Sequence, residues 1–149
     1  MAKDYIKGGP YIHLNCDVLF SYKLLCSIIE SSFNNIIAVR TDINLSNGME
    51  NVTIVKNKIM SMSLKNTPSA NGKAFGLAKL SVTSTSLLIK KLNTFIDSND
   101  LNQNYYGMIR LAVKELDYHC VISDRNNLLE INTISDLTIA NKTIKTSKI

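Results

Sequence analysis

Two stretches of the sequence carry oxygen-bearing side chains at the end of a predicted strand. In YIHLNCDVLFS, Tyr11 to Leu14 are strand formers, and Asp17 lies just beyond them. In EINTISDL, Glu130 and Asn132 close another strand in a similar way. If these two strand ends lie side by side, the three side chains form a set of oxygen ligands that suits Mg²⁺, which takes one or two carboxylates and keeps several waters.

Each acidic residue in these stretches also has a purely structural interpretation. An aspartate after a strand is often a turn residue or a helix cap, and for Asp17 taken alone that interpretation is favoured. Glu130 would serve equally well as a hydrogen-bond acceptor within its strand. Asp136 is interpreted as the cap of the last helix rather than as a metal ligand.

The elements that must position these side chains alternate along the chain. Residues 1–10 have the pattern of a helix tail followed by a Gly-Gly-Pro break. Ser21 is the predicted N-cap of the helix that starts at Tyr22. A tight hairpin is expected around Lys56-Asn57-Lys58. The predicted strands are 11–14, 36–40, 52–55, 59–62, 74–81, 120–122 and 128–131, and the predicted helices are 22–31, 84–97, 105–116 and 137–143, the last capped by Ser135 or Asp136. This order predicts one α/β domain over residues 1–149, with three layers and a Rossmann-like mixed sheet that carries an inserted β-hairpin.

Composition and charge exclude several classes of protein. The chain has 149 residues, of which 45% are hydrophobic and 19% charged, as expected of a globular domain with a sizeable core. The net charge is +5, but the lysines are scattered and no basic patch is interleaved with aromatic residues. A nucleic-acid partner is therefore not expected.

The cysteines and histidines do not form a recognisable metal or disulfide motif. Cys16, Cys26 and Cys120 are odd in number and contain no C-x-x-C pair, and His13 and His119 are isolated in the sequence. Free thiols are typical of a reducing compartment. With no signal-peptide pattern and no apolar run of membrane-spanning length, a cytoplasmic protein without a membrane partner is expected.

Three segments of the sequence resemble one enzyme family in order and spacing. YIHLNCDVLFS resembles the N-x-D-x-x-F/Y segment of the sugar-phosphate and phosphocholine-type nucleotidyltransferases, which have a GT-A-like fold. KNKIMSMSLKNTPSANGKAFGLAKLS resembles the family's hairpin, lysine and glycine-containing strand, and LLEINTISDLTIA resembles its E-I-(D/N)-T-x-x-D-L-x-x-A close. The resemblance extends from about Tyr5 to Ala140 and implies transfer of a nucleotidyl group, with CMP favoured, from a nucleoside triphosphate to a sugar phosphate, phosphocholine or phosphonate.

The resemblance also implies roles for individual residues. Asp17 is the expected catalytic Mg²⁺ ligand, and Asn132 stands where many members have a second metal-binding aspartate. Lys65 matches the lysine after the hairpin and is expected to assist catalysis. The residues expected to contact substrate are Asn15, Gly76, Tyr105, Tyr106 and Glu130.

The sequence departs from the family pattern in ways that bear on its activity. Asn132 is neutral, Lys73 replaces the glutamate of the family's Gly-Glu pair, and Gly107 with Met108 replaces the acids that usually follow the two tyrosines. The loss of the acidic residues at positions 73, 107 and 108 argues against a cationic acceptor, whereas the neutral Asn132 weakens the second metal ligand. The family's N-terminal G-x-G-x-R loop, which holds the nucleotide phosphates through backbone N–H groups, has no counterpart here.

Two functions of different class follow from the resemblance and the missing loop. The first is the metal-binding and acceptor-binding part of a nucleotidyltransferase whose nucleotide loop belongs to a complementing chain or lies upstream of the given start. Without that segment, sheet and helix faces are left uncovered, so a homodimer is also an expected partner. The second is a truncated, non-catalytic homologue that acts through protein–protein contacts. An incomplete nucleotidyltransferase fold is expected in either case.

Overall fold

Strands and helices alternate through the residues that the structure describes. The structure is a computed structural model. It describes residue 6 and residues 9–98 and 105–146, and it describes side chains as far as residue 144. The strands are β1 (Tyr11–Leu14), β2 (Val18–Phe20), β3 (Ile36–Arg40), β4 (Asn51–Val55), β5 (Lys58–Ser63), β6 (Gly72–Leu80), β7 (Tyr118–Ser123) and β8 (Leu128–Glu130). The helices are α1 (Tyr22–Ile29), α2 (Val82–Asp97), α3 (Tyr105–Ala112) and α4 (Ile134–Thr146).

Six of the strands form a mixed sheet in the order β1-β6-β3-β7-β5-β4. Only the β3–β7 pair is parallel among these neighbours, and β4 also pairs with the first residues of β6. Gly72 lies at this last junction, where an added Cβ would be 2.8 Å from Cγ1 of Val39. The remaining strands, β2 and β8, form a separate antiparallel pair.

The sheet has a hydrophobic core on each face, which confirms the three-layer α/β prediction. Successive residues of β3 point to opposite faces. Ile37 and Val39 pack in a core that includes residues of α2 and α3. Ile36 and Ala38 pack in a second core with Leu24 and other residues of α1.

Local signals in the sequence placed several element boundaries correctly. The Ser21 side chain accepts a hydrogen bond from the N–H of Leu24 at 3.2 Å, so Ser21 is the predicted N-cap of α1. Lys56 and Asn57 have φ angles of 50° and 63°, as a tight turn of the primed type requires. The β4–β5 hairpin is therefore confirmed.

Several predicted boundaries were wrong, and three of them lie next to the acidic stretches or at the end of α3. The residues after Asp17 were expected to turn directly into a helix, but they form β2, because β8 supplies a pairing partner. The last helix begins at Ile134, and its cap is Thr133 rather than Ser135 or Asp136. Thr133 Oγ1 accepts from the N–H of Asp136 at 3.1 Å while Asp136 Oδ2 accepts from the N–H of Thr133 at 2.9 Å, a reciprocal capping box.

The third wrong boundary is the end of α3. This helix was expected to reach Leu116, but it ends at Ala112 and is followed by a turn into β7. The predicted helix tail within residues 1–10 lies almost entirely outside the described residues. Among the helices that the structure does describe, none is long and apolar enough to cross a membrane.

Candidate functional site

The pairing of β2 with β8 brings the two acidic stretches together. Val18 lies opposite Glu130, and the N–H of Ile131 donates to the backbone carbonyl of Asp17 at 2.8 Å. The sequence predicted this proximity for two strand ends. The contact differs in detail from that prediction, because β2 and β8 are antiparallel. Asp17 comes before β2, whereas Asn132 comes after β8.

Asp17 and Asn132 each carry a side-chain oxygen that the described hydrogen bonds leave unused. Oδ1 of Asp17 is buried and has no hydrogen-bond partner among the described residues, an arrangement that is unfavourable for a carboxylate unless a donor or cation satisfies it. Asn132 donates its side-chain N–H to Glu130 Oε2 at 3.0 Å, and its carbonyl oxygen is not engaged by that bond. No group of three His, Cys, Asp or Glu residues in the described part of the chain encloses a metal site.

Two polar pockets lie beside this segment. Pocket A has a volume of about 390 Å³, and its lining includes Asn15, Glu50, Gly76, Tyr106, Glu130 and Asn132. Pocket B has a volume of about 570 Å³, and its lining includes Arg40, Lys73, Phe75, Arg125, Glu130 and Asp136. Lys73, Glu130 and Asn132 line both pockets, so the two are adjacent.

An ion pair between Lys73 and Glu130 joins the two pockets. Both side chains are largely buried, with 13% and 21% of their surface exposed, and Lys73 Nζ also lies 4.7 Å from the centre of the Phe75 ring. Glu130 additionally accepts the hydrogen bond from Asn132. Lys73 thus neutralises Glu130, which was predicted to bind substrate.

A second ion pair includes Glu50, which lines pocket A. Arg110 Nη1 donates to Glu50 Oε1 at 2.5 Å, and both side chains are more than four-fifths buried. Oε2 of Glu50 is buried without a hydrogen-bond partner in the described part of the chain. Sequence reasoning did not single out Glu50, because neither its spacing nor its neighbours mark it as part of a motif.

Gly76 is required by the side chain of Asn15. The N–H of Asn15 donates to the carbonyl of Gly76 at 2.7 Å, and a Cβ added at Gly76 would lie 2.3 Å from Cγ of Asn15. Such a distance is a severe steric clash. Asn15 Oδ1 in turn forms a hydrogen bond of 2.9 Å with Nε2 of His13. The glycine was expected to admit a ligand; it lines pocket A, and the position that a Cβ would take is filled by Asn15.

The two tyrosines at the start of α3 occupy different environments. Tyr106 lines pocket A, and its hydroxyl donates to the carbonyl of Phe75. Burial raises the pKa of Tyr106 far above its usual range, with Glu50 and Glu130 adding to the shift, so this phenol stays protonated. Tyr105 does not line either pocket.

Tyr105 instead supports the first strand. Its ring stacks on His13 with centroids 3.6 Å apart, and its hydroxyl lies 2.7 Å from that of Tyr11. Burial lowers the pKa of His13, although the bond to Asn15 acts in the opposite direction. Tyr105 therefore packs against β1, which it contacts through His13 and Tyr11.

Lys65 lies away from this group. It is exposed, follows the end of β5, lines neither pocket, and its backbone N–H donates to Ser63 Oγ at 3.0 Å. Arg40 is one of the basic side chains that line pocket B, and it pairs with Asp42 at 2.7 Å and donates to the carbonyl of Leu128 at 3.1 Å. The hydrogen bond that the Asp42 carboxylate accepts from the Arg40 side chain holds the pKa of Asp42 below its usual value.

The fold is that of the nucleotidyltransferases. Three solved structures with this fold are a protein of Bacillus anthracis described as a glucose-1-phosphate thymidylyltransferase, the CTP:phosphocholine cytidylyltransferase of Streptococcus pneumoniae, and the inositol-1-phosphate CTP transferase of T. maritima. Their TM-scores are 0.74, 0.68 and 0.65, at sequence identities of 12%, 12% and 15%.

The similarity covers nearly all of this chain but only part of the neighbours. The aligned region spans 99%, 96% and 99% of this chain, and 59%, 60% and 61% of the three solved chains in the same order. No model of a known protein family matches the sequence, and no curated protein matches it either. The structural similarity thus defines the fold.

Proposed function

We propose that this chain provides the metal-binding and acceptor-binding parts of a nucleotidyltransferase. In the proposed reaction a phosphate oxygen of a phosphorylated small molecule attacks the α-phosphorus of a nucleoside triphosphate, with CTP favoured. The new P–O bond forms as the bond to the leaving pyrophosphate breaks. The proposal is supported above all by the backbone hydrogen bond between Asp17 and Ile131, next to Asn132, which lines a polar pocket in a fold shared with nucleotidyltransferases.

Asp17 and Asn132 are the residues that would hold Mg²⁺ in this proposal. The buried Oδ1 of Asp17, which lacks a hydrogen-bond partner in the described residues, fits a role as a cation ligand. The cation would supply positive charge next to the phosphates as charge develops in the transition state. Because Asn132 is neutral, Asp17 carries the negative charge of this ligand pair.

The remaining polar residues would bind and orient the acceptor. Asn15, Glu50, Glu130 and Tyr106 lie around pocket A, where hydrogen bonds can hold a small molecule in one orientation. Lys73 and Arg40 lie around pocket B and would favour an anionic group such as a phosphate. Lys65 is proposed to assist only if its exposed side chain approaches the phosphates when substrates bind.

A non-catalytic homologue that acts through protein–protein contacts is the second candidate. It is favoured by the neutral Asn132, which weakens the proposed metal site. In the catalytic proposal, the family's G-x-G-x-R loop would belong to a complementing chain or to a part of the protein outside the given sequence. The two candidates differ in whether Asp17 affects nucleotide chemistry.

Pyrophosphate release tests the catalytic proposal directly. The chain would be incubated with Mg²⁺, CTP and either glucose 1-phosphate or phosphocholine, and pyrophosphate followed by ³¹P NMR. We expect release that depends on acceptor and Mg²⁺ and is abolished by Asp17→Asn. Release that Asp17→Asn leaves unchanged would contradict the metal assignment, and no release with any nucleotide would favour the non-catalytic candidate.

A further inference from the structure

Among the described residues, the six-stranded sheet has one strand with a neighbour on one side only. Each of the other five strands pairs with at least two strands, and β4 closes the far end of the sheet by pairing with β6 as well as with β5. Within the described part of the chain, β1 pairs with β6 alone. The open edge of this sheet is therefore β1, and an open edge presents a row of unpaired backbone donors and acceptors.

The backbone groups on the open side of β1 belong to Ile12 and Leu14. The N–H of Asn15 donates to the carbonyl of Gly76 in β6, which makes these two residues a hydrogen-bonded pair of the antiparallel ladder. Such pairs alternate with non-hydrogen-bonded pairs, so the odd-numbered residues of β1 also direct their backbone groups at β6. The N–H and C=O groups of Ile12 and Leu14 then point away from the sheet, and no described residue pairs with them.

This edge lacks the features with which natural sheets prevent edge-to-edge pairing, namely charged side chains, a proline or a β-bulge within the edge strand. The sequence of β1 is Tyr-Ile-His-Leu, and its pairing with β6 is regular from Tyr11 to Leu14. Leu14 is 48% exposed, although it lies on the same face of the sheet as Ile12, which packs against the core beside α1. The edge is therefore uncharged, regular and partly apolar.

A second copy of this chain fits the edge because β1 is complementary to itself. In an antiparallel pair with its twofold axis at His13, Ile12 of each copy lies opposite Leu14 of the other. This register gives a hydrogen bond to all four outward N–H and C=O groups of each strand, and it covers the exposed side chain of Leu14. His13 faces its own copy as a neutral imidazole, because burial lowers its pKa, so no like charges meet across the pair.

From this geometry we infer that β1 is a dimerisation surface, where two copies of the chain pair antiparallel through Ile12 and Leu14 and join their sheets. The inference does not depend on the proposed function, so either can fail without the other. Two four-residue strands bury less surface than a standard interface of roughly 1,200–2,000 Å², so we expect weak association, with a Kd of about 100 µM.

Sedimentation of the full chain between about 5 µM and about 1 mM measures self-association, and we expect a shift from monomer to dimer over this range. Leu14→Lys places a charge on the edge and should weaken dimerisation by about tenfold or more. Met60→Lys is the matched control, because Met60 is 54% exposed on β5, and it should dimerise as the wild type does. A monomer at the highest concentration would overturn the inference and leave the edge to a strand of a different chain. Equal weakening by both substitutions would also overturn it.

Amide hydrogen exchange followed by NMR locates the interface in the wild-type chain, whether or not a variant folds. Raising the protein concentration from about 50 µM to about 1 mM should slow exchange of the Ile12 and Leu14 amides about threefold, because the dimer fraction rises by mass action. The Tyr11 and His13 amides, which bond to β6, should be protected at both concentrations. Slow exchange of Ile12 and Leu14 at every concentration would mean that another segment already covers the edge. In that case, or if dimerisation left these two amides unprotected, the inference would be wrong.

Discussion

Lys73 and Glu130, which are 57 residues apart in the sequence, form an ion pair where the two polar pockets meet. The pair links the long strand β6 to the end of β8. Its members are largely buried and therefore respond more strongly to mutation than an exposed pair would. This contact couples the stability of the fold to the proposed substrate site.

Replacing Lys73 should destabilise the protein. Lys73→Met leaves Glu130 largely buried opposite an apolar side chain, and we expect a loss of about 1–3 kcal/mol in the free energy of unfolding, less than for a fully buried pair. Urea denaturation measures this quantity. Lys91→Met is the control, since Lys91 pairs with the more exposed Glu115, and it should cost less than about 1 kcal/mol. Equal effects of the two substitutions would contradict the structural role assigned to Lys73.

Substitution of Gly76 should be destabilising because of Asn15. The Cβ of alanine would lie 2.3 Å from Cγ of Asn15, so Gly76→Ala is expected to cost about 1–3 kcal/mol through steric strain. Adding Asn15→Gly should remove most of that cost, which gives a double-mutant cycle with a clear coupling energy. Additive effects in thermal or chemical unfolding would mean that the two residues do not contact each other.

The cap of the last helix can be tested in the same way. Thr133→Ala removes the side-chain oxygen that accepts from the N–H of Asp136, and should cost about 1 kcal/mol if α4 unfolds with the rest of the domain. Thr138→Ala is a suitable control, because Thr138 lies within the helix and its hydroxyl donates to the carbonyl of Ile134. A larger effect at Thr138 than at Thr133 would contradict the capping box.

Stability should also depend on pH through His13. Burial lowers the pKa of this imidazole below its ordinary value of 6.5, so the unfolded chain binds a proton more readily than the folded one. The stability contributed by neutral His13 is therefore present above about pH 6.5 and declines as the pH falls below it. We expect the free energy of unfolding to decrease between pH 7.5 and 5, and less steeply in His13→Gln. A wild-type slope retained in that variant would assign the pH dependence to other groups.

The features that the sequence predicted are those encoded by neighbouring residues. Ser21 caps α1 through a residue three positions away, and the hairpin depends on Lys56 and Asn57 alone. The contacts that shape the pockets join distant residues, such as Glu50 and Arg110, which are 60 positions apart. No local pattern marks such pairs, so Glu50 and Arg40 were not recognised as pocket residues.

The misplaced elements have the same physical origin. A strand of three residues such as β2 has little intrinsic signal, and it exists because β8 pairs with it. The same pairing places Asp17 beside the segment that carries Asn132, as the sequence predicted, whereas Lys65 remains exposed and outside both pockets. Asp17 lines neither pocket either, so its role as a metal ligand stays a prediction.

Thermal unfolding with Mg²⁺ and each of the four ribonucleoside triphosphates tests the central claim most directly. A ligand that binds the native state raises the melting temperature by mass action. We predict an increase in the presence of Mg²⁺ that is largest with CTP and is lost in Asp17→Asn, with Glu115→Gln behaving as the wild type. A cooperative melt that no triphosphate shifts, or a shift that Asp17→Asn retains in full, would contradict a nucleotide and metal site built around Asp17.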